Sequence, residues 1–79
     1  MYVYVLRSLQ FPDRYYTGLT DNPIRRLKEH NLGYSRSTRG YRPRRLVVQM
    51  LFENLGAARL FEQYLKTGSG RAFAKRHFW

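Results

Sequence analysis

Seventy-nine residues carry fifteen Lys and Arg against five acids, a net charge of +10, and no cysteine. That length bounds one domain, residues 1–79, near the low end of what folds unaided; the missing cysteines exclude disulfides and cysteine-ligated zinc or iron–sulfur sites. No apolar run reaches the roughly 20 residues that span a bilayer, and the N-terminus lacks a signal-like apolar stretch behind a charged region, so the expectation is a cytoplasmic protein with no membrane partner.

Residues 2–8, Y-V-Y-V-L-R-S, are rich in Val and Tyr and predict a first strand, apolar on both faces. Phe11-Pro12-Asp13 marks a turn, and Arg14 to Gly18 predicts a second strand that closes a hairpin. Successive strand side chains alternate faces, so Tyr15 and Tyr16 point to opposite sides. Whether Tyr16 shares a face with Tyr4 depends on a register that the connection leaves open. Asn22-Pro23 opens a helix, Asn by capping free amides and Pro by giving up a donor that has no partner there. The helix runs to about Asn31 and stops at Leu32-Gly33. Residues 34–45 predict an irregular loop, and the continuous apolar run at 46–52 predicts a third strand covered on both faces. A second helix is expected from about Gly56 to Thr67, a break at Gly68-Ser69-Gly70, and a short last helix from Arg71 to His77.

The charge points to a polyanion, DNA first and RNA second, because cations that neutralise phosphates release condensed counterions. Arg36, Arg39, Arg42, Arg44 and Arg45, interleaved with Tyr34 and Tyr41, form the densest basic stretch and the leading nucleic-acid contact, with Lys66 and Arg71 further along. Arg26 and His30 lie four apart on one helix and are neighbours on its surface. An arginine there can clamp a phosphate and a histidine can bind or protonate beside it. By spacing alone His30 reads as the polar edge of a buried stripe with Ile24 and Leu27. Glu62 borders an apolar face beside Ala58 and Leu65, and by spacing alone reads as the partner of Lys66 in an i,i+4 ion pair. No cysteine nucleophile, G-x-S-x-G elbow or P-loop is present, and His30 and His77 make no zinc motif. Five scattered acids do not suit a two-metal site. No small-molecule cofactor is expected; a single Mg²⁺ (or Mn²⁺) on one carboxylate is the natural design.

Taken in order, Y-V-Y-V-L at 2–6, R-Y-Y-T-G at 14–18, P-I-R-R-L-K-E-H-N at 23–31 and R-L-F-E-Q-Y-L-K at 59–66 resemble the GIY-YIG nuclease domain, especially its small stand-alone bacterial members. The resemblance implies an α+β fold, a small three-stranded antiparallel sheet flanked by helices. It also implies a metal-dependent endonuclease that hydrolyses DNA phosphodiester bonds with structure-directed or weak sequence preference, in DNA repair or recombination. The family's tyrosines fall on Tyr4 and Tyr16, its helix arginine on Arg26, its histidine on His30 and its metal-binding glutamate on Glu62. Gly18, closing the second triplet, would let backbone approach the substrate. The family's late asparagine has no counterpart after Asn54; Thr67 or Ser69 is the substitute to hand. The competing expectation is a non-catalytic basic module that binds DNA or RNA.

Overall fold

The computed structural model describes residues 1–36 and 38–79. Three strands, β1 (Tyr2–Ser8), β2 (Tyr15–Thr20) and β3 (Arg44–Leu51), form one antiparallel sheet in the order β2-β1-β3. Three helices complete it: α1 (Pro23–Asn31), α2 (Leu55–Leu65) and α3 (Gly68–His77). Strand β1 is central because it alone is apolar on both faces: Val3, Tyr4, Val5 and Leu6 are all buried. Val3 and Val5 face the main core, with Ala58 and Leu65 of α2 and Ala74 of α3. Phe61 meets Phe73 edge-on there (centroids 6.1 Å apart). Tyr4 and Leu6 point to the opposite face, where α1 packs across β1 and β3.

Each helix starts where a side chain satisfies a free amide. Asn22 Oδ1 accepts from Arg25 N (3.1 Å) ahead of α1, and Asn54 Oδ1 accepts from Ala57 N (3.0 Å) ahead of α2. Helix α3 starts three residues earlier than expected. Thr67 caps it, with Oγ1 accepting from Gly70 N (3.1 Å) and donating to the Tyr64 carbonyl (2.6 Å), so Gly68-Ser69-Gly70 becomes its first turn rather than a break.

Strand β3 carries a bulge. Val5 pairs with Val48 but Leu6 pairs with Leu46, which leaves Val47 without an opposite residue. One extra residue reverses the alternation of side chains. Beyond the bulge Val47 and Val48 both reach the main core, whereas Arg44, opposite Ser8, turns to the α1 face and is buried. The expected double cover of β3 is incomplete, since Gln49 and Leu51 remain exposed past the reach of α1. The loop between α1 and β3 contains one 3-10 turn at Arg39–Tyr41; Ser37, within the predicted basic loop, lies outside the described residues. Among the described residues no helix is long and apolar enough to cross a membrane.

Candidate active site

Register settles the relation of the two tyrosines. Tyr4 pairs with Gly18 and Leu6 with Tyr16, so Tyr4 and Tyr16 lie diagonally on the same face, ring centroids 6.2 Å apart. Tyr15 points the other way, as alternation requires. His30 comes down from α1 onto both rings and is fully buried, 4.8 Å from the Tyr16 centroid. Ile24, by contrast, is exposed, so His30 is not the edge of an Ile24–Leu27 stripe but the point where α1 docks. The Tyr4 hydroxyl and His30 Nε2 are 2.9 Å apart, and His30 Nδ1 lies 2.6 Å from Thr38 Oγ1. The Thr38 hydroxyl donates to the Ser35 carbonyl (3.4 Å), so its oxygen accepts from Nδ1–H and Nε2 accepts from Tyr4. Thr38, wholly buried, had no signal in the sequence, because it closes this chain across an irregular loop.

Gly18 makes room for Tyr4. A Cβ there would sit 2.7 Å from the Tyr4 hydroxyl oxygen and 2.9 Å from two ring carbons. The ring is 1% exposed and tied to His30, so it has nowhere to retreat. Gly18→Ala is therefore expected to cost about 2 kcal/mol in denaturant unfolding, the ordinary penalty of overpacking, and to lower catalysis with it.

Two guanidinium groups set the electrostatics. Arg26 accompanies Tyr4 and holds Glu29 at 2.9 Å, and that hydrogen bond raises its own pKa. Arg44, inverted by the bulge, is 5% exposed; its backbone is clamped by Asn31, which accepts from Arg44 N (2.7 Å) and donates to Arg44 O (2.9 Å). Its guanidinium lies over the Tyr41 ring at 5.6 Å, with Nε and Nη1 buried and lacking hydrogen-bond partners. Burial lowers its pKa, opposed by Tyr16 and Tyr41. Burial, then Arg26 and Arg44, depress His30 to about 4, with Glu29 opposing. Burial and the Tyr16 phenol push Tyr4 up to about 12, against Arg26. At neutral pH the pair is thus a neutral imidazole accepting from a protonated phenol.

The depressed histidine has a stability consequence. Unfolded His30 takes a proton near pH 6.5, whereas the folded one waits until about 4, so the unfolded chain binds more protons in that window. Stability present above pH 6.5 is lost as pH falls through 4, by about 3 kcal/mol at 1.36 kcal/mol per pKa unit. Denaturant midpoints across this range should show that slope in the wild type. His30→Gln should flatten it, leaving only the carboxylate contributions.

Glu62 stands on α2, its side chain 14% exposed, with Oε2 2.6 Å from Lys66 Nζ. The ion pair expected from spacing is present, and it holds the carboxylate at the border of the core. Lys66 lines a cavity of about 410 Å³ together with Tyr15, Tyr16, Arg71, Lys75 and Trp79. Because Tyr15 and Tyr16 belong to opposite faces, this cavity wraps the free edge of β2 and joins the tyrosine face to the α2–α3 side. Among the described residues no three His, Cys, Asp or Glu side chains converge to hold a metal. A lone hard carboxylate does not suit zinc. It fits magnesium, which keeps most of its waters and takes one or two carboxylates plus phosphate oxygens, provided that Lys66 moves aside.

The predicted basic contacts divide. Arg36, Arg39, Arg42, Arg45, Lys66 and Arg71 are exposed, although Arg39 donates to the Gly33 carbonyl (3.1 Å), Arg42 to the Arg39 carbonyl (3.0 Å) and Arg71 to the Lys66 carbonyl (3.1 Å). Arg44 is corrected: it is buried beneath Tyr41 behind the tyrosines and is not a surface contact. Thr67 is likewise spent on the α3 cap, which removes it as a stand-in for the late asparagine.

A sheet face bearing Tyr4 and Tyr16, with arginine and histidine from the next helix and a glutamate on a later one, has a counterpart among known proteins. The family model of the GIY-YIG catalytic domain matches residues 1–76. This chain belongs to the GIY-YIG family. The family carries a nuclease fold, generally implies a nucleic-acid substrate, and typically uses a divalent metal. A UPF0213 protein of Aeromonas salmonicida is 47% identical over 62 residues, 77% of this chain and 45% of that protein. A UPF0213 protein of Clostridium perfringens is 41% identical over 66 residues, 82% of this chain and 69% of that protein. The structure-specific endonuclease subunit SLX1 homolog of Giardia intestinalis is 42% identical over 50 residues, 60% of this chain and 14% of that protein. The GIY-YIG chain thus spans less than half of the Aeromonas relative and about two thirds of the Clostridium one. No solved structure matches it.

Proposed function

We propose that this GIY-YIG protein is a divalent-metal-dependent DNA endonuclease whose attacking water is managed by Tyr16 and the buried Tyr4–His30 pair. The observation that carries this reading is the hydrogen-bonded chain Tyr4–His30–Thr38 lying beneath Tyr16 and beside Arg26. The imidazole, hydrogen-bonded on both sides and packed against two phenols, sets a proton acceptor behind the tyrosine face.

Tyr4 is nearly inaccessible whereas Tyr16 is half-buried and lines the cavity, so Tyr16 is the tyrosine that meets water and substrate. Water hydrogen-bonds to the Tyr16 phenol and surrenders a proton to the phenol pair as its oxygen attacks phosphorus. The proton comes to rest on His30 Nε2, the new P–O bond forms, the ester P–O bond breaks, and the leaving alkoxide takes a proton from solvent. At rest, burial first and then Arg26 and Arg44 hold His30 unprotonated; a phosphate that binds Arg26 offsets that charge and raises the proton affinity of the imidazole when a proton must be received. Arg26 leaves Glu29 to bear the charge growing on the phosphoryl oxygens. A magnesium ion held by Glu62 would supply Lewis-acid polarisation and neutralisation of the leaving oxygen. Lys66, displaced from Glu62, stays at the cavity to meet a neighbouring phosphate.

So small a basic surface favours structure-directed or weakly specific cutting over base readout, and the likeness to the Giardia structure-specific endonuclease subunit supports that reading. Nicked, branched and single-stranded DNA incubated in Mg²⁺ provide the test. Cleavage of at least one is expected; salt-dependent binding to all of them with no product in Mg²⁺ or Mn²⁺ would leave a basic binding module instead.

A further inference from the structure

We propose that the cavity at the free edge of β2 is a subsite for one unpaired nucleotide flanking the scissile phosphate. The inference rests on the phosphodiester reading above and names the kind of DNA that the site accepts. Three observations converge on it. First, the cavity, about 410 Å³, lies within the roughly 300–1,000 Å³ of small-ligand sites and is large enough for a nucleotide. Second, its walls match the two halves of a nucleotide. Lys66, Arg71 and Lys75 face a single acid, Asp13, and give the cavity a positive balance for a phosphate.

On the aromatic side, Tyr15 and Trp79 stack face to face, centroids 4.0 Å apart and planes 8° off parallel. Tyr15 is also overlaid by the Arg7 guanidinium at 5.6 Å, so both its neighbours are in place, while Trp79 remains 39% exposed and can extend the stack by one base. Third, Tyr16 belongs to this cavity and to the Tyr4–His30 cluster alike, which sets the subsite one residue's width from the reacting atoms. A base paired inside a duplex cannot reach the Trp79 face without leaving its stack, at a cost of a few kcal/mol that is least for single-stranded or mismatched nucleotides. The cavity therefore selects for an unpaired nucleotide next to the cut.

Trp79 is the only tryptophan in the chain, which makes its fluorescence a direct report on the subsite. Wild-type protein in EDTA is titrated with a duplex carrying one short single-stranded arm, whose junction fixes the register, then with versions carrying one abasic site stepped along the arm. Saturable quenching of Trp79 is expected. It should vanish for the abasic site at one position, with affinity by anisotropy weakened about 10-fold there. In Mg²⁺, that position should adjoin the cut. Unchanged fluorescence at saturating binding, or equal quenching whichever base is removed, would overturn the subsite. Cleavage by the same preparation checks the underlying reading separately. Cleavage without quenching sinks the subsite alone, while quenching without cleavage of any DNA sinks the nuclease reading and leaves nucleotide binding at Trp79 supported.

Discussion

Glu62→Gln is expected to reduce cleavage about 10³-fold while DNA binding holds or tightens. The substitution keeps the shape of the side chain and its place beside Ala58 and Leu65, so packing is undisturbed. It removes the charge that a hard cation needs, and one lost electrostatic stabiliser of a transition state costs on the order of 10²–10³ in rate, a metal somewhat more. Stability should shift by only a few tenths of a kcal/mol, because the Lys66 partner is half exposed and such i,i+4 pairs contribute little. Binding should not suffer, since a negative charge leaves a surface that is already strongly positive. Single-turnover rates and anisotropy on one DNA separate the two effects. A variant that binds and cuts like the wild type would remove Glu62 from the chemistry.

Gly70→Ala is expected to be strongly destabilising, by about 3 kcal/mol. A Cβ at position 70 would overlap the Tyr64 carbonyl oxygen and lie 2.6 Å from Leu65 Cα. These are backbone atoms at the end of α2, so no rotamer can clear the space and α3 must move away from α2. The Thr67 cap, whose oxygen accepts from Gly70 N, and the burial of Leu65 and Ala74 would be disturbed together. Overpacking commonly costs 1–3 kcal/mol and a rigid backbone contact belongs at the upper end. In a domain of this size each kcal/mol moves the melting temperature by several degrees, so a fall of roughly 15 °C is expected by calorimetry. Gly68, whose added Cβ would meet nothing within 4 Å, is the internal control.

Much of the fold was legible because it follows from local rules. Asn22-Pro23 announces the start of α1 with an atom that does cap an amide. Asn54, which caps α2 ahead of the expected start at Gly56, and the middle place of β1, which shared its double-sided apolarity with the run at 46–52, emerge only in the structure. The candidate site was legible only as an ordered resemblance. Spacing on α1 makes His30 the neighbour of Leu27 and Ile24, and nothing in it shows that Tyr4, 26 residues earlier, donates to its ring. What escaped altogether depends on register and loop closure. Arg44 and Arg45 are chemically identical neighbours, and the unpaired Val47 decides that Arg44 is buried behind the tyrosines while Arg45 stays in solvent. Gly18 makes room for a ring and Thr67 caps a helix. Both purposes are visible only once distant segments meet.

On the proposed reading, the Tyr4–His30 pair would keep the site quiescent until substrate binds. Each partner is held in the protonation state that cannot start the reaction alone: the phenol keeps its proton, pushed up to about 12, and the imidazole refuses one until about 4. On the proposed reading, a phosphate that binds Arg26 would offset one of the two cations that, after burial, suppress His30.

The most direct measurement is the single-turnover cleavage rate of one end-labelled DNA by wild type and Tyr16→Phe, each in Mg²⁺ and in EDTA, with binding followed in parallel. Wild type should cut in Mg²⁺ and not in EDTA, and Tyr16→Phe should bind equally but cut at least about 100-fold more slowly, the usual worth of a general acid–base group. Products in EDTA, or an undiminished rate in Tyr16→Phe, would contradict hydrolysis at this site.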